Sequence, residues 1–146
     1  MRIVQVTDAS GDIVSPEGLR MAEAVHRQLR PHLPPNYAGK MAAVFANGGR
    51  MAIVVENDTA VSVAVWRLIE NTADGRRVYV DDLVSDEQRR SQGSGKLLLD
   101  WLESQAVALG CDALTLDSGV QRHRAHRFYF REGMHVSSYC FRKALK

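Results

Sequence analysis

Between Met51 and Val84, three apolar, β-branched runs lie close together: Met51 to Glu56, Val61 to Ile69 and Arg76 to Val84. Only Glu56-Asn57-Asp58-Thr59 and Asn71-Thr72-Ala73-Asp74-Gly75 separate them. Connections that short reverse a chain but cannot carry it to a parallel neighbour, so the three runs predict an antiparallel meander. Upstream, Arg2 to Val6 alternates and suits a short edge strand. Ser15-Pro16-Glu17 has the chemistry of a helix start: a serine N-cap, proline at the first helical position and an acid in the first turn. Leu19, Ala22, Val25 and Leu29 then recur at helical spacing until Pro31, Pro34 and Pro35 end the run. Asn36 to Asn47 is compatible with a short second helix.

Downstream the period changes. Leu97, Leu98, Trp101, Leu102, Ala106 and Leu109 mark one face of a helix, with Gly110 where a C′ residue belongs. Ala113 to Gly119 reads as a short strand, Arg122 to Glu132 as a helix stopped by Gly133, and His135 to Ala144 as one or two closing strands. Only the strands at Val78–Val84 and Ala113–Asp117 are joined through a helix, so those two should run parallel. The expected fold is α/β of the α+β type. Its sheet is mixed and mostly antiparallel, with one parallel pair and about four flanking helices, in a single domain spanning residues 1–146.

Length and composition narrow the class without naming an activity. A chain of 146 residues is long enough to bury roughly 70% of its unfolded surface. A net charge of +2 is too small to argue for nucleic acid. Cys111 and Cys140 form neither a CxxC pair nor a disulfide framework, so a reducing cytoplasm is the expected compartment. No apolar run approaches the roughly 18 residues of a membrane span.

The stretch from Arg90 to Leu102, RSQGSGKLLLDWL, carries the chemical signal. A basic residue and two glycines stand where a strand gives way to a helix, an arrangement that suits a pyrophosphate. A Walker A loop would need a hydroxyl at Leu97 and a glycine five residues before Gly95. A dinucleotide fingerprint would need a third glycine at Leu98 and a βαβ repeat, which the meander contradicts. A glycine-rich turn serving geometry alone is the other reading.

What remains, Arg90, Gly93 and Gly95 between a strand and a leucine-rich helix, resembles the acetyl-CoA loop of the GNAT superfamily of N-acetyltransferases. RHRAHRFYFREGM, from Arg122 to Met134, is similar to the second signature of that family, with Met134 in place of the final aromatic. The resemblance covers about Tyr79 to Met134. It implies an acetyl-CoA-dependent enzyme that binds the pyrophosphate through backbone N–H groups from Gln92 to Lys96. The implied cofactor contacts are Arg89, Arg90, Gln92, Gly93, Ser94, Gly95 and Lys96. It also implies that the strand backbone at Leu83 and Val84 pairs with the pantetheine amides. Asp117-Ser118 stands where many relatives have a cofactor-binding asparagine, which leaves Ser118 as the substitute, and His126 follows the motif alanine near the expected cofactor.

Tyr129 matches the family tyrosine near the thioester sulfur and is the expected general acid, although Phe128 and Tyr129 also fit a helix core. For the base, strand alternation sends Asp81 and Asp82 to opposite faces, so one alone should enter a given cleft. Asp82 aligns better with the acidic position of the family. His123 and His126 form HxxH, but a metal site needs a third ligand that the sequence does not identify, and no metal is expected. The arginines Arg122, Arg124, Arg127 and Arg131 read as a solvated helix face, with one or two available to CoA phosphates or an anionic substrate. The carboxy-terminal part is similar to the branch that includes aminoalkylphosphonate N-acetyltransferases. The implied acceptor is therefore a small primary amine, some carrying an acidic group, in a pocket built from Pro31 to Asn47 and the last strands. A protein or peptide acceptor, or a non-catalytic acyl-CoA-binding domain, is the alternative. No nucleic acid or membrane partner is expected, and the resemblance admits a homodimer.

Overall fold

A computed structural model describes all residues from Met1 to Lys146. The chain divides into two compact units, Met1–Thr115 and Leu116–Lys146. The first unit begins with β1 (Arg2–Gln5), α1 (Pro16–Leu29) and α2 (Tyr37–Ala46). The meander follows as β2 (Arg50–Glu56), β3 (Thr59–Asn71) and β4 (Gly75–Ser85), then α3 (Ser94–Ala108) and β5 (Ala113–Leu116). The sheet order is β1-β2-β3-β4-β5. The first three pairings are antiparallel, and β5 supplies the one parallel pair beside β4.

Local chemistry accounts for the helices. The Ser15 hydroxyl accepts the Gly18 N–H and Pro16 stands at the first helical position of α1. The Asn36 side chain accepts the Gly39 N–H at the start of α2. Gly110, at φ +69°, ends α3 in the left-handed conformation predicted for it. The unbroken apolar runs of β2 and β3 are explained by burial of both sheet faces. Met51, Ile53, Val63 and Val65 join Leu19, Ala22, Met41 and Phe45 in the core under α1 and α2. The leucines of α3 that are buried are Leu98, Leu99 and Leu102, so Leu99 rather than Leu97 supplies the apolar face. Trp101 meets Trp66 edge-on at 6.3 Å.

The second unit holds α4 (His123–Arg131), followed by Gly133 at φ +86°. The expected closing strands are not formed. Residues 134–146 have no regular secondary structure and join no sheet, and Val136, Tyr139, Phe141 and Leu145 are exposed. Alternation specifies only a tendency to extend; a strand also needs an edge to pair with, and no ladder to this segment exists. No helix is long and apolar enough to cross a membrane.

Candidate active site

β4 organises the site in the first unit. Its register against β3 slips between Val65 and Trp66: Val65 faces Asp82, whereas Trp66 faces Val80. Asp81 is therefore the extra residue of a β-bulge. This overturns the expectation that Asp81 and Asp82 point to opposite faces, because the bulge breaks the two-residue period between them. Both line one pocket of about 370 Å³, together with residues of α1, α2 and the connection between those helices. His32, Leu33, Lys40, Met41 and Val44 come from the predicted Pro31–Asn47 region.

Asp82 is the most constrained residue there. Its Oδ2 lies 2.7 Å from His26 Nε2, and its Oδ1 accepts from Arg30 Nε at 2.8 Å, with Arg30 Nη2 in ion-pair contact at 2.6 Å. Burial alone would raise the Asp82 pKa, but the hydrogen bond and electrostatics of His26, with the charge and hydrogen bond of Arg30, outweigh it. The carboxyl is thereby held below the ordinary carboxylate range. An ionised carboxylate only accepts, so His26 Nε2 carries a proton. The other ring nitrogen of His26 lies 2.8 Å from the Tyr37 hydroxyl, and burial pushes the Tyr37 pKa well up, keeping that hydroxyl protonated. Asp81 takes a forked pair from Arg67, with Nε at 2.9 Å and Nη2 at 2.6 Å from Oδ2.

None of His26, Arg30, Tyr37, Lys40 or Arg67 was singled out from sequence. His26 alone left a trace there: with Leu19 and Ala22 it continues the apolar face of α1, and a histidine on such a face needs a partner.

Past Leu83 and Val84, both buried, β4 ends at Ser85. Asp112 N–H bonds the Arg76 carbonyl near the start of β4, and β5 has only four residues against eleven in β4. The outer backbone edge of β4 around Leu83 and Val84 is consequently left without a strand. A 3-10 turn at Glu87–Arg89 leads into the loop, where Ser91 and Gly93 have φ of +68° and +89°. No side chain caps the N-terminus of α3, so its first N–H groups are available to a ligand. The loop is fastened beneath by buried hydroxyls: Ser62 Oγ lies 2.7 Å from Ser85 Oγ and 2.8 Å from Ser94 Oγ. A Cβ on Gly95 would stand 2.9 Å from Ser85 Oγ, so glycine there permits the close approach of α3 to β4. An uncapped helix start on a rigid hydroxyl base fits a pyrophosphate.

The remaining expected contacts are dispersed. Arg89 is paired with Glu56 at 3.0 Å, and Lys96 lies 3.1 Å from Asp100 on the surface of α3. Arg90 and Gln92 are exposed. In the second unit, burial raises the Tyr129 pKa against the opposing charge and hydrogen bond of Arg122, so the phenol stays protonated. His126 Nε2 lies 2.8 Å from the Gly119 carbonyl, and the Ser118 hydroxyl is buried without a partner. Arg131 sits over the Phe128 ring. The His123 and His126 rings touch edge to face, and no three His, Cys, Asp or Glu side chains gather as a metal-holding group.

Residues 19–134 match the acetyltransferase (GNAT) family profile. The chain belongs to the GNAT family of acetyltransferases. It is 33% identical over 119 residues to the uncharacterized N-acetyltransferase YhdJ of Bacillus subtilis, covering 80% of this chain and 84% of that one. Over 66 residues it is 39% identical to the aminoalkylphosphonate N-acetyltransferase of Salmonella typhimurium, covering 45% and 43% of the two chains. In fold it is similar to an aminoglycoside N-acetyltransferase solved with CoA. That likeness has a TM-score of 0.81 at 14% identity and covers 99% of this GNAT chain and 95% of the other. The protein is an N-acetyltransferase enzyme with the mixed α/β fold of its relatives.

Proposed function

We infer that this enzyme transfers the acetyl group of acetyl-CoA to the primary amine of a small molecule, by direct attack in a ternary complex. The observation that carries the reading is the placement of two features along one strand. Asp82, in an open pocket, precedes Ser85, at the base of the uncapped helix start, by three residues. That is about 10 Å of extended chain. A pocket of about 370 Å³ lies at the small end of the range for ligand sites and suits a small molecule rather than a peptide. Two of the named relatives act on aminoalkylphosphonates and aminoglycosides, both small amines, and the aminoalkylphosphonate enzyme makes an amine with an acidic group the preferred acceptor.

When bound, acetyl-CoA supplies the acetyl group as a thioester. The N–H groups from Gly93 to Lys96 hold its pyrophosphate, and the free backbone edge at Leu83 and Val84 orients the pantetheine. Asp82, fixed by His26 and Arg30, accepts a hydrogen bond from the entering amine and turns its lone pair toward the acetyl carbon. Because its proton affinity is held low, Asp82 passes the proton on to water rather than keeping it. Tyr129, which stays protonated, donates to the departing thiolate.

The test is calorimetry with acetyl-CoA, followed by thiol release against aminophosphonates, amino acids, polyamines, aminoglycosides and peptides. Saturable binding with turnover on a small amine is expected. No binding of acetyl-CoA overturns the reading. Turnover confined to peptides transfers it to protein acetylation, and binding without any turnover to a regulatory role.

A further inference from the structure

The pocket carries more positive than negative charge, and its negative charge is already engaged. Three permanent cations line it, Arg30, Lys40 and Arg67, against the two carboxylates Asp81 and Asp82. Arg30 holds Asp82 and Arg67 holds Asp81. The Lys40 ammonium makes no ion pair or hydrogen bond, and the His32 imidazole beside the pocket is likewise unpartnered. Leu33, Met41, Val44 and Val65 supply apolar lining. A dication would meet an unanswered lysine there, and a neutral amine would leave it unanswered. A short alkyl chain with an amine at one end and an anion at the other satisfies every group.

We propose that Lys40, assisted by His32, is the specificity-determining residue of the acceptor pocket. It binds a phosphonate, phosphate or carboxylate group whose alkyl chain lies on the apolar lining and whose amine reaches Asp82. The assignment rests on the small-amine reading above and adds the residue that reads the acidic group of the acceptor. Arg30 and Arg67 each already hold an aspartate, whereas Lys40 has nothing to release.

The experiment has two arms. In the first, kcat/KM is measured for 3-aminopropylphosphonate, 4-aminobutyrate, 3-amino-1-propanol and 1,3-diaminopropane with wild type, Lys40→Gln and Lys40→Glu. The wild type prefers the two acidic amines. Loss of one charge-assisted contact at a partly solvated site lowers that preference about tenfold in Lys40→Gln. Lys40→Glu shifts the preference toward the diamine. In the second arm, calorimetry follows propylphosphonate, which has no amine to acetylate, against the same proteins. Binding that Lys40→Glu abolishes supports the proposal even if no amine turns over, and the transfer reading then falls alone. Robust turnover with no preference for acidic amines, or a preference unchanged in both variants, overturns the proposal and leaves the transfer reading standing.

Discussion

Replacing Asp82 with asparagine tests the electrostatics of the pocket most directly. The carboxylate accepts from His26 on one oxygen and from Arg30 Nε on the other, with Arg30 Nη2 in ion-pair contact. Asparagine keeps the shape but has a single acceptor oxygen. If that oxygen serves Arg30, the amide NH₂ meets the His26 Nε2–H, two donors face to face. Relief requires His26 to give up the Nε2 proton, carry one on Nδ1 instead and donate it to the Tyr37 oxygen. A fully buried pair broken in this way costs about 3–5 kcal/mol. The Arg30 side chain is 42% exposed and is partly rehydrated, so about 2 kcal/mol at pH 7 is expected. Because the Asp82 carboxyl lies below its ordinary value in the folded chain, the unfolded chain binds the extra proton first as pH falls. The wild-type advantage is therefore complete above about pH 4 and disappears as pH drops through the lower folded value. Denaturant unfolding at several pH values gives the stability difference, and nitrogen NMR of the imidazole gives the tautomer. A wild-type His26 unprotonated at Nε2, or a difference that grows on acidification, would refute the reasoning.

The two loop glycines should fail in different ways. Gly93 has φ of +89° with open space where a Cβ would stand, so Gly93→Ala carries only backbone strain of about 1–2 kcal/mol. For a chain of this size that lowers Tm by roughly 2–8 °C, read by thermal unfolding. Gly95→Ala instead drives a methyl against Ser85 Oγ; it should weaken acetyl-CoA binding at least about tenfold, and Ser85→Ala in the same chain should restore much of it. Equal behaviour of the two alanine variants would show that the hydroxyl base does not position the loop. Tyr129→Phe should lower kcat about 100-fold with little change in the KM for acetyl-CoA, and unchanged turnover would remove Tyr129 as the acid.

The elements that sequence revealed are those whose signal is local. Ser15 and Pro16 determine where α1 begins, Gly110 where α3 ends, and short polar turns join β2 to β3 and β3 to β4. The loop was legible for the same reason, since Gly93 and Gly95 answer to the few residues around them. The acceptor pocket was not. His26, Tyr37 and Asp82 are separated by up to 56 positions and meet only because α1 packs on β3 and β4. The base of the loop is likewise non-local: Ser62 and Ser85 pair across the β3–β4 register, and neither serine is unusual in its own segment. The closing strands failed in the opposite sense: a local tendency to extend was present, but residues 134–146 pair with no strand.

The bulge explains why two adjacent acids serve one pocket. In a regular strand Asp81 would face away from Asp82, whereas Arg67, two residues from Val65 on β3, shares the pocket face either way. The extra residue lets Asp81 and Asp82 share that face, where Arg67 holds the first and Arg30 the second. The two ion pairs leave Lys40, an exposed side chain, as the lysine of the pocket without a protein partner. A bulge there shapes the acceptor's charge without altering the backbone that leads on to the loop, since the register from Val65–Asp82 to Ser62–Ser85 is unbroken. On the proposed reading, donor and acceptor sites on one strand can thus differ independently, and the acceptor is the part that the local sequence motifs do not encode.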